Sequence, residues 1–254
     1  LGFSYRWIDL STTFNFKFLN NDDDVYGETT SFDIQSDLFT RRMIISGNIQ
    51  SYKGFYWQNP GEYYPVWNKV DSFIIRPDIE TFQLGTNIVY AFNHERFSFK
   101  TAFTRTGWQK KRAGSWLAGG FLSLYELNAD SIIAPVIALT SFPVYDSICK
   151  IDALNLGGSI GYAYTYVWHR KFFINGTLMF GVASQTFLAS DEEGVTRIFE
   201  NNLSTKTNFR FAIGFNSEKQ TFCFAAVLDS YIIRNRSVNE LSNNYGKINV
   251  FYAR

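Results

Sequence analysis

Six charged residues inside alternating segments are the chain's best candidates for chemistry. In each segment the charged residue and the neutral polar side chains occupy alternate positions, and Phe, Ile and Leu occupy the positions between them. The six charged residues are Asp9, Asp33, Asp37, Lys100, Arg210 and Asp229. Carboxylates and cations on one face can form ion pairs in a closed interior, or they can line a narrow hydrated passage. We predict an interior charge network of these residues, and both uses stay open here.

A catalytic use of these residue types is poorly supported. Both histidines, His94 and His169, fall in predicted short turns, away from where a Ser–His–acid site at the wall of a membrane barrel would lie. Asp33 and Asp37 are better explained as partners of inward cations. Metal-ligand spacings and phosphate-binding glycine loops are absent from the sequence. We therefore expect no enzyme, no metal site and no cofactor.

Aromatic residues gather at the end of one segment and in the turn-rich connection after it. They are Tyr52, Phe55, Tyr56, Trp57, Tyr63 and Tyr64. One interpretation is an aromatic girdle at a membrane interface that runs into a loop. The other is an exposed surface that binds a glycan or a partner protein.

Two charged connections offer weaker signals. Lys110, Lys111 and Arg112 form a basic tip, either solvated or in contact with lipopolysaccharide phosphates, because clustered cations bind anionic headgroups. The acidic run at 21–24 lacks the ligand spacing of a calcium loop, so a solvated tip is favoured over a cation site.

Period-two alternation indicates the elements that position these residues. In 206–215, Phe209 and Ile213 share one parity, while Asn208 and Arg210 share the other. Segments of about ten residues with this pattern are typical of transmembrane β-strands. The polar parity is small and largely neutral, whereas a soluble barrel would expose Lys and Glu on its outer face. The uncharged run 172–190 is long enough for a spanning helix, but its apolar residues keep period two.

We predict one domain over residues 1–254, an all-β transmembrane antiparallel up-and-down β-barrel of about twelve strands. The predicted strands are 2–18, 28–39, 42–57, 76–92, 97–108, 113–127, 131–141, 153–168, 171–187, 203–216, 219–234 and 245–254. In the fifth, Phe97, Phe99 and Phe103 are expected to face lipid and Lys100 to face inward. The strand 131–141 is the weakest, since Pro135 cannot donate to a ladder. We expect the barrel to close, because lipid offers no hydrogen-bond partner to the unpaired backbone groups of an open sheet edge.

The composition narrows the possible partners and the class of protein. The net charge of +1 gives no nucleic-acid footprint, and the mean hydropathy of −0.13 is too polar for a helical membrane protein. Aromatic residues make up 19% of the chain, which fits lipid-facing bands. Cys149 and Cys223 allow a disulfide that sequence cannot test.

Six short motifs in order resemble those of a known family. They are QSYKGFY at 50–56, RPDI at 76–79, RFSF at 96–99, QKKRAGS at 109–115, GYAYT at 161–165 and NYG at 244–246. Their order and spacing, across most of the chain, are similar to a family of Bacteroidota outer-membrane proteins catalogued only as a domain of unknown function. The resemblance implies an outer-membrane barrel and supplies no reaction, ligand or functional residue.

Two functions follow as expectations for a protein of the bacterial outer membrane. The first is a structural or accessory barrel with a largely filled lumen, which presents its outer loops and aromatic belt to other outer-membrane proteins or lipoproteins. The alternative is a narrow channel for small polar solutes, with Lys100, Arg210 and Asp229 near the constriction. In both, the surroundings are outer-membrane lipid and lipopolysaccharide.

Overall fold

A single antiparallel sheet dominates the computed structural model, which describes residues 2–5, 8–14, 27–57, 73–103, 109–134, 147–217, 220–235 and 238–253. In these parts of the chain eleven strands pair in the order of the sequence. They are β1 (Gly2–Tyr5), β2 (Ile8–Phe14), β3 (Thr30–Phe39), β4 (Met43–Trp57), β5 (Ile74–Ala91), β6 (Ala113–Asn128), β7 (Ile148–Trp168), β8 (Phe172–Asp191), β9 (Thr196–Asn216), β10 (Thr221–Asn235) and β11 (Val238–Ala253). A short helix, α1 (Phe99–Phe103), lies between β5 and β6.

The two ends of the sheet differ. At one end, called the helix end below, β3 turns into β4, β5 leads through α1 into β6, β7 turns into β8 and β9 turns into β10. The turn after β7 holds His169 and Arg170 at φ 47 and 60, in the left-handed backbone region that tight hairpin turns use. At the opposite far end, Asp191 Oδ1 accepts hydrogen bonds from the amides of Glu193 and Val195 and closes the β8–β9 turn.

The sheet is curled, so that its inner face packs against itself. Strand β3 is eight places from β11 in the strand order, yet Lys247 on β11 lies 3.1 Å from Asp37 on β3. Across another diagonal, the rings of Phe121 on β6 and Tyr231 on β10 lie 6.1 Å apart. The predicted all-β, antiparallel up-and-down architecture is confirmed as a curled half-barrel. Closure through β11 and β1 is not among the pairings of the described strands and belongs to the proposal below.

The predicted fifth strand is wrong. Residues 97–103 include α1, and Phe97, Phe99 and Phe103 are buried at 1%, 5% and 8% exposure instead of facing outward. Strand β5 pairs directly with β6, which leaves no room between them for another strand. Phe99 and Phe103 share one face of the helical turn, and Phe103 stacks on Phe39 with 6.1 Å between ring centroids. This aromatic cluster covers the core at the helix end.

Other strand boundaries also change. Residues 131–134 are not strand, and the rest of the predicted strand 131–141 lies outside the described residues. The predicted first strand divides into the β1–β2 hairpin, with Tyr5 opposite Ile8. Strands β8 and β9 extend through most of 188–202, where a long loop was expected, and β11 begins at Val238. Among the described residues, no helix has the length and apolarity needed to cross a membrane.

Candidate functional site

Polarity is inverted between the two faces of the sheet. On the inner face, polar side chains such as Asn155, Asn175 and Gln185 are almost completely buried. On the outer face, large apolar side chains such as Ile160 and Phe180 are more than half exposed. The parity predicted from alternation therefore holds on the long strands. A soluble protein would reverse this arrangement, because it buries apolar surface and exposes polar surface.

Asp37 on β3 is the centre of the largest charge cluster. Its carboxylate lies 3.3 Å from Arg210 Nη2 on β9 and 3.1 Å from Lys247 Nζ on β11. Ser46 Oγ on β4 donates to Asp37 Oδ1 at 2.6 Å and accepts from Arg210 Nη2 at 2.9 Å. One buried carboxylate thus binds two cations and ties four strands across the interior. The cluster carries one excess positive charge.

A second cluster surrounds Asp229 on β10. Its Oδ1 lies 3.5 Å from Lys206 Nζ and accepts a hydrogen bond of 2.9 Å from Asn208 Nδ2. The Lys206 ammonium also lies over the rings of Phe121 and Tyr231, 4.9 and 4.6 Å from their centroids. Aromatic faces attract a cation most strongly when it is desolvated. Lys206 was missed at the sequence level, although it has the same parity as Arg210.

Asp33 on β3 has neutral partners. Its Oδ2 accepts hydrogen bonds from Gln35 Nε2 at 3.1 Å, Gln50 Nε2 at 3.0 Å and the Tyr52 hydroxyl at 3.1 Å. Tyr52 therefore belongs to the interior and not to the aromatic surface predicted for it. The predicted pairing of Asp33 with Lys100 or Arg210 is replaced by amides and a phenol.

Lys100 and Asp9 complete the predicted network. Lys100 lies on α1 at the helix end, half-buried, so its predicted position on an inward strand face is wrong. Asp9 on β2 lies opposite Asp37 in the strand register. The structure thus brings Asp37 and Arg210 into direct contact, and Asp229 forms a separate cluster.

The predicted aromatic surface is divided by a bulge. The β4–β5 register shifts between Lys53 and Phe55, with Gly54 at φ 89. Beyond it Phe55 is half-buried, and Tyr56 is exposed and meets the Phe73 ring edge-on at 5.5 Å. Trp57 ends β4 and is half-buried. Tyr63 and Tyr64 lie outside the described residues.

The basic tip is at the helix end. Lys110, Lys111 and Arg112 are exposed and precede β6, at the same end as the turn of 169–171. The sequence assigned them to a long loop at the opposite end, because the strand predicted at 97–108 reversed the chain direction before them. The basic tip therefore lies at the opposite end of the sheet from the one predicted.

Some buried polar atoms on the inner face have no hydrogen-bond partner within the described part of the chain. They are Asp33 Oδ1, Asn87 Oδ1, Asn155 Oδ1 and both side-chain polar atoms of Gln185. Asn155 and Gln185 lie opposite each other on β7 and β8. A cavity of about 30 Å³ lies beside Asp37 and Arg210, large enough to hold a water molecule. Buried polar groups usually bind ordered water or a polar partner, so these positions suit water.

Cysteine and metal chemistry have little support among the described residues. Cys149 and Cys223 are free thiols near opposite ends of the sheet, which excludes a disulfide between them. No group of three or more His, Cys, Asp or Glu side chains in this part of the chain is arranged to hold a metal ion.

Comparison with known families gives a match over almost the whole chain. The model described as Domain of unknown function (DUF4421) matches residues 1–253. No curated protein matches the chain. The match supplies no chemistry, so the function has to be argued from the two faces of the sheet.

Proposed function

The chain belongs to the DUF4421 family, whose function is unknown, and from this premise we propose that it is an integral outer-membrane β-barrel. In this proposal it acts as a structural or accessory component with a largely filled lumen. Its surroundings are the lipid and lipopolysaccharide of a bacterial outer membrane. Its outer loops and aromatic belt contact other outer-membrane proteins or lipoproteins. No catalytic step is part of the proposal.

The inverted polarity of the sheet is the observation that carries this proposal. On β8 the outward side chains from Phe172 to Val182 are apolar or glycine, and the next outward positions are Ser184 and Thr186. Ten residue steps of about 3.3 Å, tilted by roughly 40°, span about 25 Å. This is the height of the apolar band of a bacterial outer-membrane barrel.

An aromatic girdle at the helix end supports the same orientation. Tyr162, Tyr164, Tyr166 and Trp168 occupy successive outward positions of β7 and are exposed. The rings of Trp116 and Tyr162 meet edge-on at 5.3 Å. Trp and Tyr concentrate at membrane–water interfaces because their rings are apolar and their polar tips stay hydrated. Trp168, opposite Phe172 in the strand register, fits the edge of the apolar band, and the tyrosines continue from it into the band.

The interior charges favour a filled lumen over a pore. Asp37 is bound across the interior by Arg210 from β9 and Lys247 from β11, and Asp229 is bound by Lys206 from the adjacent strand. The cavity beside Asp37 has room for little more than water. Ion pairs in this geometry fasten opposite sides of the sheet together, which suits a barrel whose task is to hold loops in position.

A narrow channel is the second candidate, and the unpartnered polar atoms favour it. Asn155 and Gln185 present buried amide atoms that water or a polar solute would satisfy. The cavity beside Asp37 is also lined by Arg210, Asp229 and Lys247, fixed charges of the kind that set the ion selectivity of a pore.

Single-channel recording in a planar bilayer separates the two functions. Wild type, Arg210→Glu and the exposed-turn control Arg42→Glu would be compared, each first shown to be folded by heat-modifiable migration. A filled lumen predicts no steady openings in wild type or in Arg42→Glu. Steady openings whose ion selectivity is changed by Arg210→Glu but not by Arg42→Glu would overturn the filled lumen in favour of the channel. Flotation with liposomes tests membrane insertion itself, and a chain that stays in the aqueous fraction would overturn both functions.

A further inference from the structure

An apolar groove lies at the helix end of the outer face. Its volume is about 440 Å³, and it is lined by Tyr166, Trp168, Phe172, Phe173, Ile174, Ile213 and Gly214. The aromatic rings form a connected set, with 5.7 Å between Trp168 and Phe172 and 5.1 Å between Phe172 and Phe215. Sites for small ligands have volumes of about 300–1,000 Å³. The groove is therefore large enough for part of an elongated apolar ligand.

A basic turn adjoins the groove. Trp168 and Phe172, two of the lining residues, flank the turn that contains Arg170 and Lys171, and both cations are exposed. The turn is well defined, because the Lys171 amide donates to the Trp168 carbonyl at 3.1 Å and the Lys171 carbonyl accepts from the Asn216 amide at 2.7 Å. An apolar groove next to a turn with two exposed cations matches a ligand with an acyl chain and an anionic head.

The charge of the whole helix end supports an anionic head. Its described connecting residues include one acidic residue, Glu95, and nine basic ones: Arg41, Arg42, Arg96, Lys100, Lys110, Lys111, Arg112, Arg170 and Lys171. The described far-end turns contain Glu28, Asp130, Glu192 and Glu193 instead. Clustered Lys and Arg at a membrane surface attract anionic lipids by about 1 kcal/mol for each cation.

We propose that this groove is a binding site for an anionic glycerophospholipid, with one acyl chain along Trp168, Phe172 and Ile174 and the phosphate at Arg170 and Lys171. The inference rests on the proposed membrane location and adds a ligand class to it. Short connections of bacterial barrels face the periplasm. Apart from the α1 connection, β3–β4, β7–β8 and β9–β10 are joined at the helix end by no more than four residues each, so this end would meet the phospholipid leaflet. The phosphate contact predicted for Lys110, Lys111 and Arg112 would then be with phospholipid and not with lipopolysaccharide.

Two pairs of variants test the two parts of the site. Arg170→Gln/Lys171→Gln removes the cations of the groove turn, and Arg41→Gln/Arg42→Gln removes two cations from another turn of the same end. Ile174→Trp fills the groove, and Leu178→Trp adds the same ring to an outward position of β8 beyond the groove lining. The delipidated full chain in detergent is titrated with phosphatidylglycerol, phosphatidylcholine or inorganic phosphate, and native mass spectrometry counts the bound molecules.

Wild type should bind one phosphatidylglycerol in preference to phosphatidylcholine, and excess inorganic phosphate should displace little of it. Removing the groove cations should weaken phosphatidylglycerol binding roughly fivefold for each charge, and the control turn should change it little. Ile174→Trp should abolish the bound lipid, whereas Leu178→Trp should retain it. Equal binding of both lipids, or equal losses in a variant and its control, would overturn the site. If wild type floats with liposomes in that case, only this inference fails; a chain that does not float would overturn the proposed function as well.

Discussion

Phe209 and Arg210 are neighbours in the chain, yet they meet opposite environments. Phe209 on the outer face is 40% exposed, while Arg210 on the inner face is 4% exposed and bound to Asp37. The outer face is chemically uniform, since one apolar side chain there can replace another of similar size. The inner face is specific, because each charge depends on particular partners, which for Asp37 come from the distant strands β9 and β11. Stability on the two faces should therefore respond to different kinds of substitution.

The largest expected effect is on the inner face. Asp37→Asn removes the carboxylate shared by Arg210 and Lys247 and leaves two buried cations without a counter-charge. Breaking a buried pair in this way costs about 3–5 kcal/mol. Asp33→Asn is the matched control, since it lies four residues away on the same face and its partners are neutral. Urea unfolding of both variants in lipid vesicles measures the difference, and equal losses would contradict a specific ionic interior.

A smaller effect is expected on the outer face. Leu178→Lys puts a cation within the apolar band and, if the proposed membrane location holds, should destabilise the fold by roughly 2–4 kcal/mol. Thr186→Lys makes the same change on the same strand and face, but beyond the band, where the cost should be about 0–1 kcal/mol. The measurement is the free energy of folding into vesicles. If the two variants lost the same free energy, the apolar band would not be the lipid-facing zone.

The smallest effect concerns an ion pair at the far end. Arg76 binds Asp78 through two hydrogen bonds of 2.9 and 2.8 Å, and its Nη1 donates to the carbonyls of Ile132 and Ile133 at 2.9 Å each. Asp78 lies on β5 before the first outward residue of the apolar band, Phe82. The hydrogen bonds from Arg76 lower the pKa of Asp78 from 3.8 to about 2.

Because the pKa of Asp78 is lower in the folded state, its ionised carboxylate stabilises the fold fully at a pH above the pKa of the unfolded chain. This stabilisation is lost as the pH falls through about 2. Asp78→Asn should cost no more than about 1 kcal/mol at neutral pH, as for other accessible ion pairs. Pepsin cleavage near 131–134 should be faster in the variant than in wild type at pH 4, and the two rates should converge toward pH 2. A constant ratio across this range would show that Asp78 ionisation does not hold the segment.

Sequence patterns predicted which face of the sheet a residue occupies better than which end of the sheet it lies at. The inward positions of Asp37, Arg210 and Asp229 follow from alternation, because successive side chains on a strand point to opposite faces. The segment containing Phe97, Phe99 and Phe103 was misassigned, since its spacing suits a strand and a helical turn alike. Only the direct pairing of β5 with β6 decides between them. That error also put Lys110 to Arg112 at the wrong end, because each added strand reverses the chain.

By itself, the sequence determined the class of fold and the polarity of its two faces, because both depend on local backbone geometry repeated along each strand. The tertiary structure decided which charges meet. Asp37 contacts Lys247 across 210 positions of sequence, and Lys206 lies over rings from two other strands. Such contacts depend on the curl of the sheet and on strand register, which bring residues together whatever their separation in the chain. The same curl positions the aromatic cluster of α1 and Phe39 against the core.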